Sequence, residues 1–493
     1  MFNPRECSRQ VIFFSFLLVA CLLFCGIARA VPSITLSKKS GPPTSRILVS
    51  GRGFGPNVGV DIYFDTKDKA LVITDGKGEF GDVGIHAPRT AYPGRHWVTA
   101  LQRNDDKGAQ EPFLVQTDWA QFQFDAAHTG YNPYENVLNR SNVSSLALRW
   151  QFPDVSDTSS PAIANGLLYI VSNDGHINAL NASTAAVTWS YKLGTGSEFS
   201  PVVSNGIVYV AAGYDLYALS AATGTVLWKY PTTDWIIAPP TVEHGVVYVE
   251  ADCVYALDAS SGAFLWKYCA AGWYIVAPAA VADGVVYVSE ASTLDAFDSR
   301  SGVLLWSDPF YGSFSSPAVV NGGVYVGSYD GFIYAANAST GKSLWTYNTG
   351  GKGSSSPAVV NELVYIGSQD SDVYALDTST GALRWKYKTV RGVSSSAVVA
   401  NGVVYVGSND ENVDALNAST GALLWSYAME GPPIALAVTN GLVYATSGDL
   451  HLSAFSLKLA DFAGYTSVSR PDERRLHPNL GLRPSTTAAS QVR

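Results

Sequence analysis

The stretch Ser396–Tyr427, read as SAVVA, NG, VVYVGS, NDEN, VDALNA, STG, ALLWSY, decides the fold. It holds four short runs rich in β-branched and aromatic residues, each separated from the next by turn formers. Alternation such as Val404 and Val406 against Tyr405 and Gly407 has the period of a strand, and nothing in the stretch carries apolar residues at helical spacing for long enough to make an amphipathic helix. Three turns inside one unit give four antiparallel strands. Working outward, Trp150, Trp189, Trp228, Trp266, Trp306, Trp345, Trp385 and Trp425 follow one another at intervals of 38 to 40 residues. Helical arrays and four-stranded propeller blades share that period, and the strand content selects the blade.

Complete units end at the tryptophans from Trp189 to Trp425, which gives seven. SSLALRWQF (Ser144–Phe152) reads as a fourth strand alone, and PIALAVTNGLVYATSGDLHLSAFSL (Pro433–Leu457) as three strands without their tryptophan. Together they predict an eighth blade shared by the two ends of the chain, because an open sheet would leave strand edges free to pair with other molecules. The expected fold class is all-β: an eight-bladed β-propeller over residues 144–458, with four-stranded antiparallel blades closed by strand exchange between the N- and C-terminal parts, and a small N-terminal β-sandwich. The eight tryptophans are read as structural docking residues. Most of them follow a TG or SG turn whose glycine permits positive φ, and a ligand needs one or two stacking rings where this chain repeats eight equivalent ones.

The pattern AxDxxTGxxxW, as in ALDTSTGALRW and ALNASTGALLW, recurs seven times between Ala179 and Trp425. It resembles the tryptophan-docking repeat of the quinoprotein, or PQQ-like, propeller superfamily. TAAVTW (Thr184–Trp189) departs by lacking the glycine, and Asn or Ser often replaces the Asp. AHTGYNPYENVLNRSNVSSLALRW (Ala127–Trp150) is similar to the lead-in of those proteins. The resemblance implies two kinds of relative: dehydrogenases that use PQQ with calcium, and the propeller lipoprotein of outer-membrane protein assembly, which works by contacts. The dehydrogenases carry adjacent cysteines against the quinone and often a CxxCH haem site, and this chain has neither. No GxSxG elbow, Walker loop, HxxxH spacing or dinucleotide fingerprint after a strand is present either. No catalytic residue, no metal site and no firm cofactor is therefore expected; PQQ and calcium belong to the alternative reading alone.

Arg5 and Arg9 precede an apolar run from Val11 to Ile27 and Ala28-Arg29-Ala30, the layout of a secretory signal over residues 1–30. LVAC (Leu18–Cys21) offers a lipoprotein processing site as the lesser reading. No later segment is apolar enough to span a bilayer. Removing residues 1–30 leaves 29 basic against 40 acidic residues, a balance unfavourable for wrapping nucleic acid. A secreted, periplasmic or cell-surface protein is expected. Residues 31–117 show short strand-like runs with turns at GFGPN, DGKGEF and YPG, and SGRGFGPN with the closing FLV resembles an IPT/TIG-type immunoglobulin-like domain. Residues 118–143 are assigned as a linker and lead-in segment, and residues 459–493, poor in apolar residues, as a disordered tail.

Cys253 and Cys269 flank the hairpin VYALDASSGAFLWKY almost symmetrically, which predicts a disulfide across strands three and four of one blade. The ligand site is sought where blades differ most, at the crossovers. Two adjacent crossovers offer Trp235 and Trp273, with Asp234, Tyr274 and Tyr311 nearby and Lys352 and Arg391 further round. Aromatic pairs beside polar groups suit a sugar ring, a quinone or a peptide, while the same rings could merely plug the channel. The functional expectation is an exported noncatalytic binding or scaffolding propeller with a protein or glycan partner at its mouth. The alternatives are a PQQ-dependent alcohol or sugar dehydrogenase and a polysaccharide-binding surface protein.

Overall fold

The computed structural model describes residues 31–103, 105, 107–156, 159–194, 199–269, 277–290, 293–309, 315–353 and 355–458. The expected signal segment 1–30, the tail 459–493, Trp273, Tyr274 and Tyr311 lie outside the described residues. From residue 162 to residue 428 the chain builds seven successive sheets, each with four antiparallel strands ordered as they occur in sequence; the seventh gains a fifth strand, Tyr131–Asn132, parallel to its innermost one. In the sixth these are Ala358–Val360, Leu363–Gly367, Asp372–Asp377 and Leu383–Lys388. The two middle strands are buried on both faces because neighbouring sheets cover them, so their sequence is almost continuously apolar. The fourth strand alternates, with Trp385 turned inward and Leu383 and Arg384 exposed. Asn-Gly hairpins join the first two strands, as at Asn401 (φ 45°) and Gly402 (φ 80°).

An eighth sheet draws on both ends of this region. Leu146–Phe152 lies antiparallel to His451–Leu457, followed inward by Leu442–Ser447 and Pro433–Thr439. One hydrophobic cluster joins Tyr405 and Trp425 of the seventh sheet, Val443 and Phe455 of the eighth, and Ile170 and Leu180 of the first. The eighth sheet is thus covered on both faces by its neighbours.

The joints between sheets explain why tryptophan, tyrosine and glycine recur together. The indole N–H of Trp189, Trp228, Trp266, Trp306, Trp345 and Trp385 donates to a turn carbonyl of the next sheet, from Ala221 to Ala418, at 2.8–3.0 Å. A tyrosine hydroxyl from the second strand of the same sheet, from Tyr169 to Tyr365, donates to that same carbonyl at 2.9–3.3 Å. The indole also rests on the glycine of that turn. A methyl group at Gly381 (φ 69°) would stand 2.7 Å from the Trp345 ring, and the other five such glycines are as crowded. Glycine is needed there both for the left-handed backbone and for space.

Both joints of the eighth sheet depart from this pattern. Towards the first sheet, Ala185 (φ 60°) replaces the glycine; Tyr444 still reaches the Ala182 carbonyl, but the Trp150 indole N–H is buried without a partner. Towards the eighth sheet, Trp425 donates to the Leu146 carbonyl and the Tyr405 hydroxyl is left without a partner. The departure at TAAVTW therefore coincides with the one docking indole whose nitrogen has no acceptor.

The lead-in segment is part of the sheet assembly. The N–H groups of Ile163, Val203, Val281, Val319, Val359 and Val399, each the middle residue of a three-residue innermost strand, donate to the carbonyls of Trp119, Ala120, Ala126, Ala127, Thr129 and Gly130 at 2.6–2.9 Å. In the third sheet Val242 N–H donates to the Gln121 side-chain oxygen at 3.2 Å, and in the eighth Asn132 Nδ2 donates to the Val438 carbonyl at 2.9 Å. Acceptor order along residues 119–132 follows the order of the sheets, so one short strap visits all eight inner edges in turn. Backbone groups that would otherwise lack a protein partner are paired by it. Glu135 fastens the strap's end: its buried carboxylate accepts from Val137, Leu138 and Gly441 N–H.

Residues 33–115 carry two further sheets. One has three strands (Ser33–Leu36, Arg46–Arg52, Phe80–His86) and the other five, with Gly59–Phe64, Gly94–Gln102 and Gly108–Val115 at its centre. Ile47, Val49, Ile62, Phe64, Val98 and Phe113 supply its core. Asp61 is buried and paired bidentately with Arg103.

Candidate functional site

Each crossover leads from an outermost strand to the next innermost one, so the crossovers share one end of the sheets with the second hairpin turn. There Trp235 is 41% exposed and packs edge-on against Tyr214, itself 47% exposed, with ring centroids 5.4 Å apart. Asp234 accepts from the Trp235 N–H at 2.8 Å, which fixes the turn carrying the indole. In the fifth sheet Lys352 Nζ lies 4.0 Å from the Tyr329 ring centroid and donates to its hydroxyl at 2.7 Å. Arg391 is exposed, with its carbonyl accepting from Thr389. No hydrogen bond or ion pair joins these three groups to one another among the described residues. Tyr214 and Tyr329 were not singled out by sequence reasoning, although each stands immediately before an aspartate of the second turn.

Beside Trp235, the Thr233 hydroxyl donates to Asp252 at 2.8 Å, and the Tyr255 hydroxyl donates to the other Asp252 oxygen at 2.8 Å. Cys253 and Cys269 are bonded to each other, which ties strand three of the third sheet to the end of its strand four just before the crossover. In the fifth and sixth sheets the second-turn aspartates Asp330 and Asp370 accept the backbone N–H two residues on.

Two buried acidic groups lie outside any sequence motif. Glu250 is fully buried; one oxygen accepts from Ala279 N–H at 3.1 Å and the other has no partner, and burial pushes its carboxyl up to about 8. Glu290 is pushed up to about 7 by burial and by Asp295. A carboxyl raised in the folded state keeps a proton that the unfolded chain releases near its ordinary value of 4.5, so stability falls as pH rises from about 4.5 through about 8. Glu250→Gln removes that titration. Its thermal midpoint is expected to fall less between pH 5 and pH 8 (roughly the window above) than that of the unaltered protein; parallel curves would remove Glu250 from the account.

The strap and the inner edges line a partly open cavity of about 310 Å³. Trp119, Phe122 and Gln123 of the strap line it together with Phe199, Pro239 and Pro278. Ser160, Ser200 and Ser396 sit at equivalent places before their innermost strands, on the crossover side, and the Ser160 N–H donates to the Ser200 hydroxyl at 2.7 Å. No charged side chain lines the cavity among the described residues. Trp235 does not line it, so the described plug is the strap. Among the described residues no group of three or more His, Cys, Asp or Glu side chains is arranged to hold a metal ion.

A family model described as outer membrane protein assembly factor BamB matches residues 174–272, 251–394 and 380–461, more than half of the chain. The chain belongs to this family. The match runs from the second turn of the first sheet to the end of strand His451–Leu457. The structure of BamB from Moraxella catarrhalis is similar with a TM-score of 0.55 and 21% identity, covering 64% of this chain and 98% of that one. Quinohemoprotein alcohol dehydrogenase from Comamonas testosteroni is similar with a TM-score of 0.60 and 14% identity, over 72% of this chain and 82% of that one. These likenesses show the fold, an all-β propeller, and the family model shows its PQQ-like repeats. In sequence, the same dehydrogenase is 40% identical over 93 residues, 16% of this chain and 13% of the enzyme. A serine/threonine-protein kinase, AfsK of Streptomyces griseus, is 37% identical over 79 residues, 15% of this chain and 10% of the kinase. This chain spans only a small part of those relatives' length. No helix among the described residues is long and apolar enough to cross a membrane.

Proposed function

We propose that the chain is an exported, noncatalytic binding or scaffolding propeller of the cell envelope or extracellular space. In this reading the eight sheets close as eight blades, an IPT/TIG-like immunoglobulin sandwich precedes them in the sequence, and a protein or glycan partner docks on the crossover rim. The observation that carries it is the pairing of exposed aromatic and polar groups on that rim, Trp235 with Tyr214 and Lys352 with Tyr329. Such rings offer large contact area at small entropic cost. Similarity to a BamB structure over nearly all of that molecule supports a role exercised through contacts.

The quinone-dependent alternative draws on the dehydrogenase repeats. Among the described residues, those around the cavity do not fit PQQ with calcium: a polycarboxylate quinone calls for cationic partners and the metal for carboxylates, and the described wall supplies aromatic, aliphatic, proline, serine and glutamine side chains. Cys253 and Cys269 are bonded across two strands, far from the adjacent pair of those enzymes.

Binding of the purified protein to arrayed glycans and to envelope proteins tests the reading. Trp235→Ala is expected to weaken a captured partner by about tenfold or more, the effect of removing a central aromatic anchor, with an unchanged thermal midpoint. Dye reduction with alcohols or aldoses in the presence of quinone and calcium would overturn it.

A further inference from the structure

The rim between the second and third sheets presents two exposed rings at a steep angle. Tyr214 and Trp235 stand at 62° to each other with centroids 5.4 Å apart, so they make a corner and not one flat platform. Backbone bonds hold the corner in shape. Thr232 N–H donates to the Tyr214 carbonyl and Ile236 N–H to the Gly213 carbonyl, both at 2.8 Å, which ties the crossover to the second turn on either side of the rings. A sugar lays its C–H face on a single flat ring, whereas ring faces meeting at this angle converge on a compact group. Those faces carry negative potential, and the compact group they attract is a cation.

The charges beside the corner have the matching sign. Asp234 and Asp252 are both exposed. The first is held by the Trp235 N–H and the second by the Thr233 and Tyr255 hydroxyls, yet neither joins an ion pair among the described residues. Of the basic side chains on the outermost strands of these two sheets, Lys229 is paired with Asp215 at 2.8 Å and Lys267 lies 5.6 Å from the Tyr255 ring centroid. The crossover sequences show the same imbalance: 193–201, 232–240, 270–279 and 310–317 contain no Lys or Arg, whereas 349–357 and 389–397 contain Lys352 and Arg391. A neutral sugar makes no use of fixed carboxylates, and an acidic partner is repelled by them. One carboxylate on the crossover and one on the next sheet's turn suit a chain bearing several cations better than a single small one. We propose that the Tyr214–Trp235 corner receives an arginine or lysine side chain from a basic segment of a partner protein, with Asp234 and Asp252 pairing the neighbouring charges. The inference rests on the rim reading above and narrows its partner from protein or glycan to a basic protein segment.

Three fluorescein-labelled octapeptides test this on the full chain by anisotropy over a range of salt: an Arg-Gly repeat, the same repeat with citrulline for arginine, and a Glu-Gly repeat. Citrulline keeps the shape without the charge. The arginine peptide is expected to saturate the protein with a dissociation constant on the order of 0.1 mM at low salt, weakening as salt rises. The citrulline peptide should bind about tenfold more weakly, and the glutamate peptide not measurably. Trp235→Leu leaves the net charge as it is and should weaken the arginine peptide about tenfold at an unchanged thermal midpoint. Asp234→Asn combined with Asp252→Asn should weaken it as well and flatten its salt dependence. The proposal is overturned if the arginine peptide does not saturate, or if the citrulline peptide binds equally well. It is also overturned if Trp235→Leu keeps full affinity, the attraction then being the diffuse field of an acidic protein. Should Trp235→Leu fail to fold, the peptide series and the paired Asn variant decide by the same criteria. If Trp235→Ala weakens a captured partner whose binding ignores both salt and the Asn changes, this inference falls and the rim reading stands. If no captured partner depends on Trp235, both fall.

Discussion

Replacing residues 119–131 by a flexible Gly-Ser segment of equal length is expected to abolish cooperative folding of the sheet assembly. Six innermost strands give a backbone N–H to strap carbonyls, and a seventh gives one to the Gln121 side chain. Each such bond contributes about 1 kcal/mol net. Trp119 is only 2% exposed, and loss of its burial adds about 3–5 kcal/mol. A Gly-Ser segment keeps backbone carbonyls but must lose about 1–2 kcal/mol of conformational entropy per residue to present them, which cancels the gain from those bonds, so the combined loss, on the order of 10 kcal/mol, equals the whole stability of an ordinary domain. Far-UV circular dichroism and calorimetry read the outcome. A cooperative transition with an undiminished midpoint would falsify the assignment of the strap as part of the core.

The second large effect concerns the joints. Trp385→Ala is expected to cost about 3–5 kcal/mol, because it empties a buried seat, deprives the Ala418 carbonyl of one donor and uncovers Gly421. Trp150→Ala should cost much less. That indole is only partly buried and its N–H has no acceptor, so the substitution removes a buried polar group along with the contacts it loses. Ala185→Gly, at the same joint, should stabilise by about 1 kcal/mol through relief of a left-handed alanine. Urea unfolding of the three variants ranks them, and equal losses for Trp385 and Trp150 would show that the carbonyl and glycine seat is not what the indole contributes.

How far the sequence could be read depends on whether a feature repeats. The period of the tryptophans, the four strand-like runs and the turn glycines were all visible because each sheet states them again. So was the pairing of Leu146–Phe152 with the last repeat, from the missing strand at one end and the surplus one at the other. The second-strand tyrosines from Tyr169 to Tyr444 repeat as well, yet their role needed coordinates: only the structure brings a hydroxyl and an indole from one sheet to a single carbonyl of the next.

The rim residues were found because crossovers vary, and the structure pairs Trp235 and Lys352 with Tyr214 and Tyr329, partners that sequence distance conceals. The cavity and its glutamine left no signal at all. Gln123 sits in a stretch without periodicity, and its position follows from where eight separate inner edges place the strap.

By itself the sequence determined the repeating unit: strand period, turn chemistry and docking indoles are local or recur at a fixed spacing, so one-dimensional pattern suffices to state them. Tertiary structure alone decided what fills the centre and which polar groups meet there. Hydrogen-bond partners such as Trp119 and Ile163, or Gly130 and Val399, lie tens to hundreds of residues apart along the chain. Their meeting is a consequence of the assembled sheets and of backbone groups that had to be paired, which no spacing in the sequence encodes.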